Sequence, residues 1–218
     1  MNSAVIQLLV LAGIAIFLIL RLKNVLGTRD GFEKPPDVSQ RRAITRGDLE
    51  VIEGGVDRDI TDHVSEGSSQ AKALAAMKVA EPSFSVGEFL GGARGAYEMI
   101  LMAFENGDLD DIKALLSEDV YATFSDVVAA REKQGLKIDA KFVGVRELAL
   151  NDARFNKKSR EGEIVMKFVG ELTSVVRNKS GDIIEGNTDE IRRQKDIWTF
   201  GRKMGADNPN WQLVATGE

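Results

Sequence analysis

The side chains best suited to chemistry are scarce in this chain of 218 residues. There is no cysteine, which excludes thiol nucleophiles, disulfides and thiolate metal sites. The one histidine, His63, sits among acidic residues in "DRDITDHVSEG", with no second histidine to complete an acid–base pair or a metal cluster. Carboxylates are plentiful, but "GDLDD" reads as a helix start, where negative charge is favoured. From Asn178, "NKSGDIIEGNTD" has the length of a calcium loop. It places Ile183 where glycine makes the turn and Asp189 where glutamate is usual. No phosphate-binding G-x-x-x-x-G-K-[ST] loop is present. Neither an enzyme nor a cofactor is expected.

What remains to do work is apolar surface and charge, so the elements that carry them come next. "AVIQLLVLAGIAIFLILRLK" opens the chain with an apolar run from Ala4 to Leu20, followed by Arg21 and Lys23. A cleavable signal carries its cations before the apolar core and small residues after it; here the order is reversed. As a helix the run rises roughly 26 Å, close to the ~30 Å hydrocarbon core. The run is therefore expected to be a retained single span, in preference to a buried core helix. Cations stay on the cytoplasmic side, which predicts an N-out, C-in topology with the domain in the cytoplasm, at a cell inner membrane.

Charge is uneven beyond the span. Arg21 to Arg46 holds seven cations and three anions, and Gly47 to Gln70 holds one cation and seven anions. Arg21, Lys23, Arg29, Arg41 and Arg42 are the membrane-proximal basic residues that would meet anionic headgroups; a merely solvated linker is the alternative. Breaker clusters such as "EKPPD", "EGGVD" and "EGSSQ" mark residues 23–83 as a mostly disordered linker. The exception is a short helix near 70–80, with Ala71, Leu74, Ala75 and Met77 at helical spacing. It would pack on the domain, lie on the membrane or meet a partner.

The domain is expected over residues 84–218. Ser85 and Glu88 form a capping box flanked by the staple pair Phe84 and Phe89. Phe89, Ala93, Tyr97, Ile100 and Phe104 then repeat at helical steps. Gly91, Gly92 and Gly95 weaken that helix, and close packing of another element is their expected use. Asp108 is expected to cap a short second helix, and Ser117 a third that stops at Gly135. The period then changes to two. "EIVMKFVGELTSVV" sets Ile164, Met166, Phe168 and Leu172 against Lys167 and Glu171. About four antiparallel strands follow, giving an α+β fold: a sheet covered on its apolar face by N-terminal helices.

"PSFSVGEFLGGARGAYEMILMAFENGD", "ALLSEDVYATF", "DIWTFGRK" and "NPNWQLVAT" resemble, in that order, the Tim-forty-four-like (TimA) domain family. These are the bacterial relatives of the mitochondrial inner-membrane translocase subunit that tethers the import motor, and the resemblance runs from about Ala80 to Thr216. It implies a nuclear-transport-factor-two-like cone, a curved antiparallel sheet closed by helices around an apolar pocket. Tyr97, Phe104, Phe124, Phe142, Phe168, Trp198, Phe200 and Trp211 are the candidate lining, with core packing as the competing role of each.

The resemblance implies an inner-membrane adaptor that binds a partner protein or lipid at the membrane surface, in protein translocation or membrane-protein quality control. Two alternatives are a membrane tether for ribosomes and a sensor for a small apolar ligand. Nucleic acid suits the charge poorly: residues 84–218 carry nineteen cations against twenty-three anions. DNA is not an expected partner.

Overall fold

The computed structural model describes residues 57–217. The expected span and its basic flank lie outside the described residues, and no described helix is long and apolar enough to cross a membrane. The chain runs α1 (Arg58–Thr61), α2 (Ser69–Ala80), α3 (Val86–Asn106), a 3-10 segment (Asp110–Leu115) and α4 (Glu118–Gln134). Four strands follow: β1 (Lys137–Asn156), β2 (Glu161–Arg177), β3 (Ile183–Lys203) and β4 (Gln212–Gly217). They form one antiparallel sheet in chain order.

Side chains cap the helices where the sequence offers them. Ser85 Oγ accepts from the Glu88 amide at 3.3 Å, and Ser117 Oγ from the Val120 amide at 3.3 Å. Gly107 and Gly135 end α3 and α4 with φ of 80° and 69°, a conformation that costs glycine nothing. Asp108 does not cap: the 3-10 segment starts after Leu109 with no side-chain cap bond. The "NKSGD" connection closes on itself, with Asn178 Oδ1 accepting from the amides of Ser180 and Asp182 at 2.9 and 3.0 Å.

Period-two alternation in β2 sorts the sheet faces as expected. Ile164, Met166, Phe168 and Leu172 are buried under the helices. On the opposite face, Lys167 meets Glu147 at 2.8 Å, and Glu171 meets Arg193 at 3.0 Å. Register shifts at Phe142/Gly144, Val145/Glu147 and Leu150/Asp152 interrupt the β1–β2 ladder, the kind of bulge that bends and twists a long strand.

The packed structure reaches upstream of residue 84. Ile60, Leu74 and Met77 are buried in the same core as the sheet, so the helix with three open destinations packs on the domain. A side chain at Gly162 would meet Met77 Sδ at 3.2 Å; this glycine is what admits α2 to the sheet. Arg160 Nη2 donates to the Ala80 carbonyl at 2.7 Å, and the Gly205 amide to Glu81 at 2.7 Å. α1 adds a cap that no local pattern encodes. Asp59 accepts from the Val86 and Gly87 amides, both at 2.8 Å, and from Ser85 Oγ at 3.0 Å. Lys78 pairs with Asp57 and Asp59 at 2.8 and 2.7 Å. No bond from the Ser85 amide to the Glu88 side chain completes the box among the described residues; Asp59 instead takes the next two amides of α3, those of Val86 and Gly87.

The glycines of α3 have a different role from the expected one. Nothing lies within 4 Å of a side chain built at Gly91, Gly92 or Gly95, so no element packs closely there. Gly91→Ala and Gly95→Ala are expected to stabilise the protein by about 0.5–1 kcal/mol each, because alanine loses less backbone entropy in a helix. Thermal and chemical denaturation check this directly.

Candidate functional site

The eight candidate rings divide into three sets. Tyr97 stacks on Phe168 with centroids 4.3 Å apart and lies 4.7 Å from Trp198 and 6.2 Å from Phe142. Tyr97 and Phe168 are fully buried and Trp198 nearly so; these rings fill the space between α3 and the sheet. Tyr97 OH donates to Asp196 Oδ2 at 2.6 Å, and burial together with that carboxylate pushes the phenol far above its usual range. A side chain at Gly170 would come within 2.6 Å of the Tyr97 oxygen, so this part of the core has no spare volume. Phe104 and Phe124 form a second set between α3 and α4, 4.5 Å apart, with the Arg131 guanidinium 4.3 Å from the Phe104 ring.

Phe200 and Trp211 make the third set, with Trp211 partly exposed and Phe200 buried. They line a cleft of about 410 Å³ between the N-terminal half of α3 and the connection from β3 to β4. Phe84 and Phe89 join them: Trp211 lies 5.8 Å from Phe84 and 4.8 Å from Phe89, the latter edge-on. Ala93, Ala96, Met99 and Leu115 extend the apolar floor. Half-exposed Met99 gives one wall an adaptable side chain.

One cation is built into the opposite wall. Arg202 lies with its guanidinium 5.3 Å from the Trp211 centroid, pairs with Glu81 and donates from Nη1 to the Pro209 carbonyl at 2.6 Å. Its side chain is only 8% exposed, and Nε is buried with no hydrogen-bond partner among the described residues. Burial pushes the Glu81 carboxyl up, but the Gly205 amide and Arg202 outweigh it and hold the group below its ordinary value. The ion pair fixes the guanidinium beside the Trp211 ring. Glu88 adds a carboxylate at the rim.

This arrangement can hold an apolar group and orient it. Ser83 Oγ lies 3.4 Å from Glu81 Oε1, but that carboxylate is already paired with Arg202, and His63 is exposed just past α1, outside the cleft-lining residues. Sequence reading took Phe84 and Phe89 for a helix staple and passed over Glu81 and Arg202. One signal for Arg202 was available: in "DIWTFGRK", alternation puts Trp198, Phe200 and Arg202 on one sheet face.

The family model of the Tim44-like domain matches residues 70–218, which takes in α2 and every cleft residue. The human mitochondrial import inner membrane translocase subunit TIM44 is 25% identical over 138 residues, covering 62% of this chain and 30% of that protein. Arabidopsis thaliana subunit TIM44-1 is 23% identical over 162 residues, covering 72% of this chain and 34% of that protein. The chain thus spans about a third of the length of these curated relatives. Among solved structures, the intermembrane space region of the chloroplast protein ARC6 overlaps 53% of this chain and 82% of its own. Its TM-score is 0.36 at 11% identity, too low to carry an argument.

Proposed function

The chain belongs to the Tim44-like domain family, and we propose that it is an inner-membrane adaptor acting in protein translocation, whose domain holds an apolar segment of a partner protein in the Trp211 cleft. The observation that carries this reading is the cleft itself: partly exposed Trp211 stands beside the buried rings of Phe84, Phe89 and Phe200, with half-exposed Met99 on the floor and Arg202 held in the opposite wall. A concave, mostly apolar cleft of this size with a few fixed polar groups at its walls is the usual setting for an apolar group. The relatives carry the name of an inner-membrane translocase subunit, which supplies the setting. In the full proposal Ala4 to Leu20 spans the membrane with the N-terminus out. The basic residues after it lie against headgroups, and the cytoplasmic domain is a nuclear-transport-factor-two-like cone. An acyl chain of a lipid is the second occupant that suits the same floor.

A ribosome tether has less support. The uncovered sheet face alternates charge across its strands, as in Glu147–Lys167 and Arg146–Glu171–Arg193, and so offers no continuous basic platform.

Crosslinking the full chain to its partner in membranes tests the proposal. Association is expected to survive several hundred millimolar salt, because apolar burial is not screened. Trp211→Ala should weaken it by about 2 kcal/mol, roughly thirtyfold, as loss of a central aromatic anchor does. Trp211 packs on Phe84 and Phe89, so the variant is expected to melt below the parent, and association is compared at a temperature where both are folded. Salt-labile association with ribosomes, or indifference to Trp211→Ala, would overturn the assignment.

A further inference from the structure

β4 pairs with β3 only from Ile197 to Gly201, so the stretch of β3 before it has no strand on that side among the described residues. On its other side the ladder with β2 breaks. Leu172 pairs with Arg192, yet Ser174 pairs with Asn187, which leaves residues 188–191 bulged out of the sheet. Asn187 Oδ1 accepts from the Asp189 amide at 3.0 Å and shapes the start of the bulge. Ile191 is 54% exposed, and Ile183 and Ile184 on the same arm are about half exposed. The charges around Ile191 run Asp189, Glu190, then Arg192, Arg193. Neither acid has an ion pair among the described residues.

That order is self-complementary. When two such segments meet antiparallel about a two-fold axis through Ile191, Glu190 of each copy faces Arg192 of the other, and Asp189 faces Arg193. The two isoleucines meet on the axis. An isologous contact requires this reciprocity, and a sequence with both acids before both bases provides it. We propose that the β3 bulge is a self-association surface whose partner is a second copy of this chain. Arg192 and Arg193 have in-chain partners, Glu185 and Glu171, at exposed sites, and such pairs exchange at little cost.

The cysteine-free sequence makes the test direct. Ile191→Cys in the full chain should give a disulfide-linked dimer on mild oxidation. Lys157→Cys, on the exposed β1–β2 turn at the other end of the sheet, should not. In the Ile191→Cys background, Asp189→Arg with Glu190→Arg should cut the yield about tenfold, and so should Arg192→Glu with Arg193→Glu. Mixing these two variants should restore the dimer, because each now carries the charges the other lacks. The acid-reversed variant breaks no ion pair and is expected to melt like its parent. Equal crosslinking from Lys157→Cys, parental yield from either reversed variant alone, or no recovery in the mixture of folded variants would overturn the proposal.

Discussion

A chain truncated to residues 84–218 is expected to lose cooperative folding, whereas one beginning at residue 52 is expected to retain it. The truncation removes Ile60, Leu74 and Met77, all at most 4% exposed. Full burial of each such side chain contributes about 1.5–3 kcal/mol. It also uncovers the sheet around Gly162 and Met204, against which Met77 packs. The Asp59 cap on α3 and the Glu81 side of the Arg202 pair go with it. A domain of this size has a net stability of only about 5–15 kcal/mol, so losses of this size consume most of it. Thermal melts with near-ultraviolet circular dichroism distinguish the outcomes. A sharp transition at the parental temperature in the shorter chain would show that α1 and α2 add nothing to the core.

Asp59→Asn is expected to cost about 2 kcal/mol at neutral pH, and less as the pH is lowered. Asp59 sits 26% exposed and accepts two backbone amides of α3 while paired with Lys78. Charge-assisted bonds of that kind are worth about 1.5–3 kcal/mol when their charge is removed, less where water reaches them. Burial alone would push the carboxyl up. The Lys78 ammonium, the two amides and the Ser85 hydroxyl outweigh it and hold the group well below the usual carboxylate range. A carboxylate depressed in the folded state stabilises fully above its unfolded value, near 3.9, and loses that contribution as the pH falls below it. Glu81 is depressed as well and acts in the same window. For Lys78, burial lowers the pKa but Asp57 and Asp59 raise it further, so its contribution is present below its unfolded value and fades at strongly alkaline pH. Denaturant midpoints of parent and Asp59→Asn should therefore differ by a constant amount from about pH 6 to 8 and converge below about pH 4. A difference independent of pH down to pH 3 would assign the effect of Asp59 to shape and not to charge.

The sequence by itself determined what depends on neighbours in the chain. Ser85, Ser117 and Gly135 mark helix ends because their side chains, or the lack of one, act within one turn. Alternation through Ile164, Met166, Phe168 and Leu172 decides which face of β2 is buried, and with it the layering of helices on a sheet. Only the tertiary structure decided what depends on distant partners. Asp59 reaches α3 across 27 residues to Val86, and no local pattern records that an acid upstream will satisfy those amides. α2 has too weak an apolar stripe to name its target; the space left by Gly162 names it. The candidate rings were recognisable as apolar, yet their division between core and cleft followed from strand register. The register seats Gly170 against Tyr97 and leaves Trp211 at the edge beside Arg202. The bulges of β1 and β3 set that register, and a slip of one residue would reverse every side chain it controls.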